Sequence, residues 1–144
     1  MILVQKILFL KNVPLFSTMP PDTLAWVAGV ADETSCPSGQ TIFEKGSEGD
    51  SMYVIADGSV RIHDGDKTLA SLPQGAFFGE LSILDGETRS ADATAKSDCL
   101  LLVIRQDSFR RILSKQFDVA ENLLKILVRR IREQSTQLQQ QNED

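Results

Sequence analysis

A chain of 144 residues with 42% hydrophobic and 24% charged side chains is long enough for one compact domain with a real core. Its formal net charge of −5 argues against a nucleic-acid surface. The single histidine, His63, excludes the multi-histidine metal sites of barrel enzymes, as well as Ser/His/Asp and Cys/His catalytic sets, so neither a metal nor an enzymatic activity is expected.

The apolar run Met1–Lys11, interrupted by Lys6, predicts an amphipathic helix too short and too charged to span a membrane and without the cleavage site of a signal peptide. Pro14 breaks it, and Pro21 suits the first turn of a second helix carrying Leu24, Trp26, Val27 and Ala28. From Glu33 the period changes to two. Strands are predicted at 33–36, 41–43, 51–56, 59–63, 68–72, 76–78, 92–95 and 99–104, separated by turns rich in Gly, Pro and Asp. Eight short strands at this spacing predict a mainly β fold, an eight-stranded jelly-roll barrel flanked by N-terminal and C-terminal helices. The expected organisation is a helical lead-in over 1–31, the barrel over 32–106 and C-terminal helices over 107–144. The glycines of the turns, Gly46, Gly49 and Gly58 among them, read as turn residues only.

At the C-terminal end, Asp107 is the expected cap of a helix through Phe109, Ile112 and Leu113. Asp118 with Glu121 reads as a capping box opening a longer helix. The Gln-rich tail from Ser135 is expected to fray or to continue as a solvated helix. Leu124, Leu127 or Val128, Ile131 and Leu138 offer a short seam for a homodimer, although packing on the chain's own domain explains the same pattern. Arg129, Arg130 and Arg132 read as a solvated basic face near the helix end. Cys36 and Cys99, in strand-like surroundings without metal spacing, read as small buried apolar residues of a reducing, cytoplasmic compartment.

The stretch 77–95 is where the chemistry concentrates. Strand-like residues lead through Phe78 to Gly79, a short helical run follows from Glu80 through Leu81 and Ser82 to Leu84, and a turn delivers Arg89, Ser90 and Ala91. Gly79 admits a ligand close to the backbone, the helix start offers unpaired N–H groups, and Arg89 supplies a planar fork for two phosphate oxygens. Up to Ile104 there are only seven Lys/Arg against 14 Asp/Glu, so Arg89 is a rare cation in an acidic half. Glu80, negative where a phosphate is expected, makes sense as the acceptor of a sugar hydroxyl.

This run resembles the phosphate-binding cassette of the cyclic-nucleotide-binding domains, which reads Phe-Gly-Glu-(Leu/Ile)-(Ala/Ser) and then, about nine residues after the Glu, Arg-(Ser/Thr/Ala)-Ala. Phe78, Gly79, Glu80, Leu81, Ser82, Arg89, Ser90 and Ala91 match it in turn. Gly46, Gly49, Asp50, Tyr53, Ile55 and Gly58 also fall as they do in that family. Thr88 departs from the usual Pro, and Asp92-Ala93 replace the commoner Thr-Val, with Asp92 placing a second negative charge near the phosphate if it points inward. The resemblance implies that Glu80 binds the ribose 2′-hydroxyl, Arg89 the cyclic phosphate, and the amides around Leu81 and Ser82 the remaining phosphate oxygens. It implies a regulatory module whose C-terminal helix moves on binding and controls a fused or associated effector. Ser90 sits where a hydroxyl contacts purine or phosphate, and cyclic AMP is the expected ligand over cyclic GMP. A base contact is expected from Arg129, Arg130 or Arg132. No helix-turn-helix follows, so direct gene regulation by this chain is not expected. A ligand-free interaction or dimerisation module on the same fold is the alternative.

Overall fold

The computed structural model describes residues 1–143, the last three by backbone alone. Helices α1 (Leu3–Lys11) and α2 (Pro21–Val30) come first. The strands are β1 (Asp32–Cys36), β2 (Thr41–Phe43), β3 (Ser51–Asp57), β4 (Val60–Asp64), β5 (Lys67–Leu72), β6 (Phe77–Phe78), β7 (Asp92–Ala95) and β8 (Cys99–Arg105). Between β6 and β7 lies the short helix α3 (Glu80–Asp85), and α4 (Gln106–Lys115) and α5 (Phe117–Glu143) complete the chain. All eight predicted strands are present within a residue or two of their expected limits.

The strands pair in two antiparallel four-stranded sheets, ordered β1-β8-β3-β6 and β2-β7-β4-β5. This is the jelly-roll order. The expected barrel takes the form of a sandwich, because each strand finds its partners within one sheet.

Strands β3 and β8, at the centre of the first sheet, are apolar on both faces, and the reason is visible on either side. Met52, Val54 and Ala56 of β3, with Leu102 and Ile104 of β8, enter a cluster under the helices with Phe16, Leu24, Phe109 and Ile112. Their alternate neighbours Tyr53, Ile55, Cys99 and Leu101 face the second sheet, with Val60, Phe78 and Ala93. A period of two on a doubly covered strand yields this division without any polar break. Each fully buried large side chain, Phe16 or Phe109 for example, contributes about 1.5–3 kcal/mol.

The C-terminal helices begin earlier than expected. α4 starts at Gln106 with Arg105 at the N-cap and no side-chain cap, so Asp107 lies inside the first turn, where its charge suits the helix dipole. The Gln106 N–H is taken instead by the Asp50 carbonyl at 2.8 Å. α5 starts at Phe117, which places Asp118 in its first turn. Glu121 pairs with Lys125 at 3.2 Å and not with the helix start, so the expected capping box does not form. The tail does not fray within the described residues but continues as helix to Glu143. Val119 and Leu123 are buried, whereas Phe117, Leu124, Val128, Ile131 and Leu138 are exposed. Among the described residues, no helix is long and apolar enough to cross a membrane.

Candidate functional site

Strand β6 ends at Phe78, and the chain turns sharply at Gly79, whose φ of +84° lies in the left-handed region. A side chain there would meet Arg89 Nη1 at 2.9 Å as well as strained backbone. The turn sends α3 away from the sheet and brings Glu80, in its first turn, against α5. The chain then returns through Gly86 to Arg89, where backbone bonds fix the loop: Arg89 N–H donates to Ser47 O and Gly46 N–H to Arg89 O, both at 2.8 Å.

Arg89 is 4% exposed. Its Nη1 donates to Gly79 O at 2.7 Å and its Nη2 to Ser51 O at 2.8 Å. The guanidinium carbon lies 4.2 Å from the centre of the Phe43 ring, which packs at a tilt against Tyr53 and Phe78. Gly49 fits against the same guanidinium: a Cβ there would come within 2.3 Å of Arg89 Nε. Arg89 Nε is buried and has no hydrogen-bond partner among the described residues. Burial draws the Arg89 pKa down from its usual value, opposed by Tyr53, Asp50 and Glu80. The cation is thus desolvated, clamped by carbonyls that cannot neutralise it, and left with an N–H to satisfy. Such a site favours an anion.

Glu80 is 2% exposed, and its Oε1 accepts a hydrogen bond from Arg130 Nη1 of α5 at 3.0 Å. Arg130 also donates to Phe77 O at 3.2 Å and lies over the Phe77 ring at 4.8 Å. Burial pushes the Glu80 carboxyl above the usual carboxylate range, against the pull of its backbone N–H, Arg130 and Arg89.

A cavity of about 620 Å³ opens between these groups. Phe78, Gly79, Glu80, Leu81, Ser82, Arg89, Ser90 and Ala91 all line it, so every residue matched to the cassette is brought to one place. Ile62 and Leu72 form its second-sheet wall, and Leu127, Arg130, Ile131 and Gln134 of α5 close it from the helix side.

The structure also corrects one reading and narrows others. Arg130 is not part of a solvated face but a cavity residue. Of the three arginines offered for a base contact, it alone lines the cavity, and Arg129 and Arg132 do not. Asp92 does not point at the anion site: its Oδ1 accepts the Lys45 N–H at 2.7 Å and its Oδ2 the Gly65 N–H at 3.2 Å, beside His63. Those amides hold its carboxyl below the usual range. Gly49 is more than a turn glycine, and Phe43 was not anticipated. The sequence shows a glycine at position 49 but carries no sign that Arg89 packs against it.

The family profile described as "Cyclic nucleotide-binding domain" matches residues 33–116. The chain is 35% identical over 113 residues to a cAMP-dependent protein kinase regulatory subunit of Aspergillus fumigatus, covering 77% of this chain and 27% of that protein. It is 35% identical over 134 residues to a Cyclic AMP receptor protein of Thermus thermophilus, covering 90% of this chain and 62% of the relative. The solved Thermus thermophilus catabolite activator protein superposes with a TM-score of 0.78 at 34% identity, over 88% of this chain and 62% of that one. The chain therefore spans between about a quarter and three-fifths of the length of these relatives. With a profile that runs from β1 to the start of α5 and encloses the whole Arg89 loop, the chain belongs to the cyclic nucleotide-binding domain family.

Proposed function

We propose that the cavity binds a cyclic nucleotide, cyclic AMP in preference to cyclic GMP, and that the chain acts as a regulatory module without chemistry of its own. The observation that carries this is Arg89, a buried cation lining the cavity with an N–H unmatched, beside a buried carboxylate. Arg89 takes the cyclic phosphate, with the amides around Leu81 and Ser82 at the start of α3. Glu80 accepts the ribose 2′-hydroxyl. Phe78, Gly79, Ser90 and Ala91 shape the walls, and Ser90 is exposed enough to reach the purine. The names of the relatives support cyclic AMP.

Nucleotide and α5 share one acceptor. The ribose hydroxyl needs the carboxylate that Arg130 already holds, so occupancy changes the grip on α5 and biases its position. A fused or associated effector reads that position.

The test is calorimetry with cyclic AMP, cyclic GMP and 2′-deoxy cyclic AMP. Binding of the first with weaker binding of the deoxy analogue is expected. No binding of either nucleotide refutes the reading, and cyclic GMP binding tenfold tighter, about 1.4 kcal/mol, reverses the base assignment.

A second reading rests on the outer face of α5. Phe117, Leu124, Ile131 and Leu138 recur every seven residues and are 60–75% exposed, Ile131 at the point where this row meets the edge of the cavity. That spacing suits a homodimer seam along α5, with or without ligand. Leu124→Lys with Ile131→Lys converts such a dimer to a monomer in light scattering, and a monomeric parent chain refutes it.

A further inference from the structure

The nucleotide pocket leaves both cysteines unused, and the fold sets them face to face. β1 pairs antiparallel with β8, and Cys36 is in register with Cys99. Register partners on antiparallel neighbours point to the same face of a sheet, with Cα atoms about 4.5 or about 5.5 Å apart according to the hydrogen-bond pattern. Both separations lie within the range of about 4.4–6.8 Å that a disulfide spans. The two thiols are free, share the cluster between the sheets with Ile55, Val60 and Leu101, and are almost fully buried.

Their surroundings tolerate loss of the thiol protons. Cys99 Sγ has Ser59 O at 3.1 Å and Ser97 O at 3.2 Å as acceptors for its single proton, and Cys36 Sγ points at Gln40 O from 3.8 Å. Ser59 O keeps the Lys96 N–H at 2.9 Å and Gln40 O the Ala95 N–H at 2.9 Å, so these two carbonyls retain a donor without the thiols. Gly58 leaves room on the other side, since a Cβ there would fall 2.9 Å from Cys99 Sγ. Burial, and then the neighbouring Cys99, push the Cys36 thiol up.

We propose that Cys36 and Cys99 are a modification site: a dithiol that hydrogen peroxide converts to an intrachain disulfide tying β1 to β8. One thiol gives up its proton, and its sulfur attacks a peroxide oxygen, breaking the O–O bond. Sulfenic acid and one water result. The sulfur of the second cysteine then attacks the sulfenic sulfur, the S–O bond breaks, and the hydroxyl leaves with the thiol proton as a second water. Two thiols are oxidised, and one peroxide is reduced to two waters.

The bridge would tie down β1, an edge strand with a single neighbour. At the other end of β8, Arg105 pairs with Ser51, whose carbonyl holds Arg89, and six residues of strand put about 20 Å between the two ends.

The test is peroxide titration of the reduced full chain, followed by alkylation of remaining thiols, intact mass and peptide mapping. The expected product has lost two hydrogens and both alkylation sites together, carries a Cys36–Cys99 peptide pair, and melts at a higher temperature. Cys36→Ser and Cys99→Ser each keep one thiol that gains oxygen or stays alkylatable, with no internal bridge. Stepwise oxygen uptake by the parent, a bridge between chains, or two thiols still alkylatable when an exposed reference thiol is fully oxidised would overturn the proposal.

Discussion

The two charged groups of the cavity are held by different parts of the molecule. Arg89 is fixed by the sandwich: two strand-end carbonyls, an aromatic ring from β2 and a bare glycine. Glu80 is fixed by a helix. Its partner Arg130 belongs to α5, whose inner face packs on the core through Val119 and Leu123 and whose outer face is uncovered. One side of the site is thus built before any ligand arrives, and the other depends on where a helix lies. In the function proposed above, the sandwich end supplies the anion cradle, and the helix-borne partner of the carboxylate is where occupancy would act.

The largest effect expected at the rigid end is from Arg89→Ala, which should weaken nucleotide binding by about 2–5 kcal/mol in calorimetry, because the phosphate is left without its buried partner. Arg89→Lys should recover only part of this, since an ammonium cannot hold Gly79 O and Ser51 O in a fork as well as an anion. An unchanged affinity breaks the comparison at that end. Gly49→Ala should come next. Gly49 has no left-handed φ, so only the crowding of Arg89 is at issue, and about 1–3 kcal/mol of overpacking is expected. Its signature is a parallel loss of affinity and melting temperature.

At the movable end, Arg130→Ala should cost about 1–3 kcal/mol in global stability, because it leaves the buried Glu80 carboxyl without its side-chain donor. Amide exchange along α5 beyond Ile126 should also quicken. If exchange is unaltered, the Glu80–Arg130 pair does not hold the helix.

The smallest effects are in pH dependence, and they have opposite signs. Glu80 has a raised carboxyl, so its contribution to stability is present below the ordinary carboxylate value and is lost as pH rises through the folded value. Asp92 has a lowered one, so its contribution is present above the ordinary value and is lost as pH falls through the folded value. Near neutral pH, Glu80→Gln should therefore remove a penalty and Asp92→Asn a gain. Melting curves across the acid range that shift the same way for both variants would contradict this assignment.

Much of this was legible in the chain. Most strands announced themselves because Gly, Pro or Asp turns separate them, and the residues from Phe78 to Ala91 are close enough in sequence to meet through the turns at Gly79 and Gly86. Arg130 and Phe43 were not legible in the same way. Each reaches the cavity across a sequence gap of tens of residues, and Arg130 lies between Arg129 and Arg132, which are chemically identical and differ only in which way the helix turns them. Helix starts were misread for a related reason. A backbone carbonyl, Asp50 O, does at α4 what a side-chain cap was expected to do, and a carbonyl leaves no trace in the residue type.

The pairing of β1 with β8 has a consequence for the order in which the fold assembles. β4 and β5 join through a tight turn at Asp64 and Lys67 and need only one another. β1 must wait for residues 99–105, and β3 gains its central neighbour only then. Long-range strand pairing of this kind forms slowly, because distant segments of a loose chain must be brought together first. During synthesis, residues 77–95 leave the ribosome before the strand that steadies Ser51. A nascent chain halted ahead of β8 would carry the whole cassette without the support of its cradle, so the proposed site is completed among the last steps of folding.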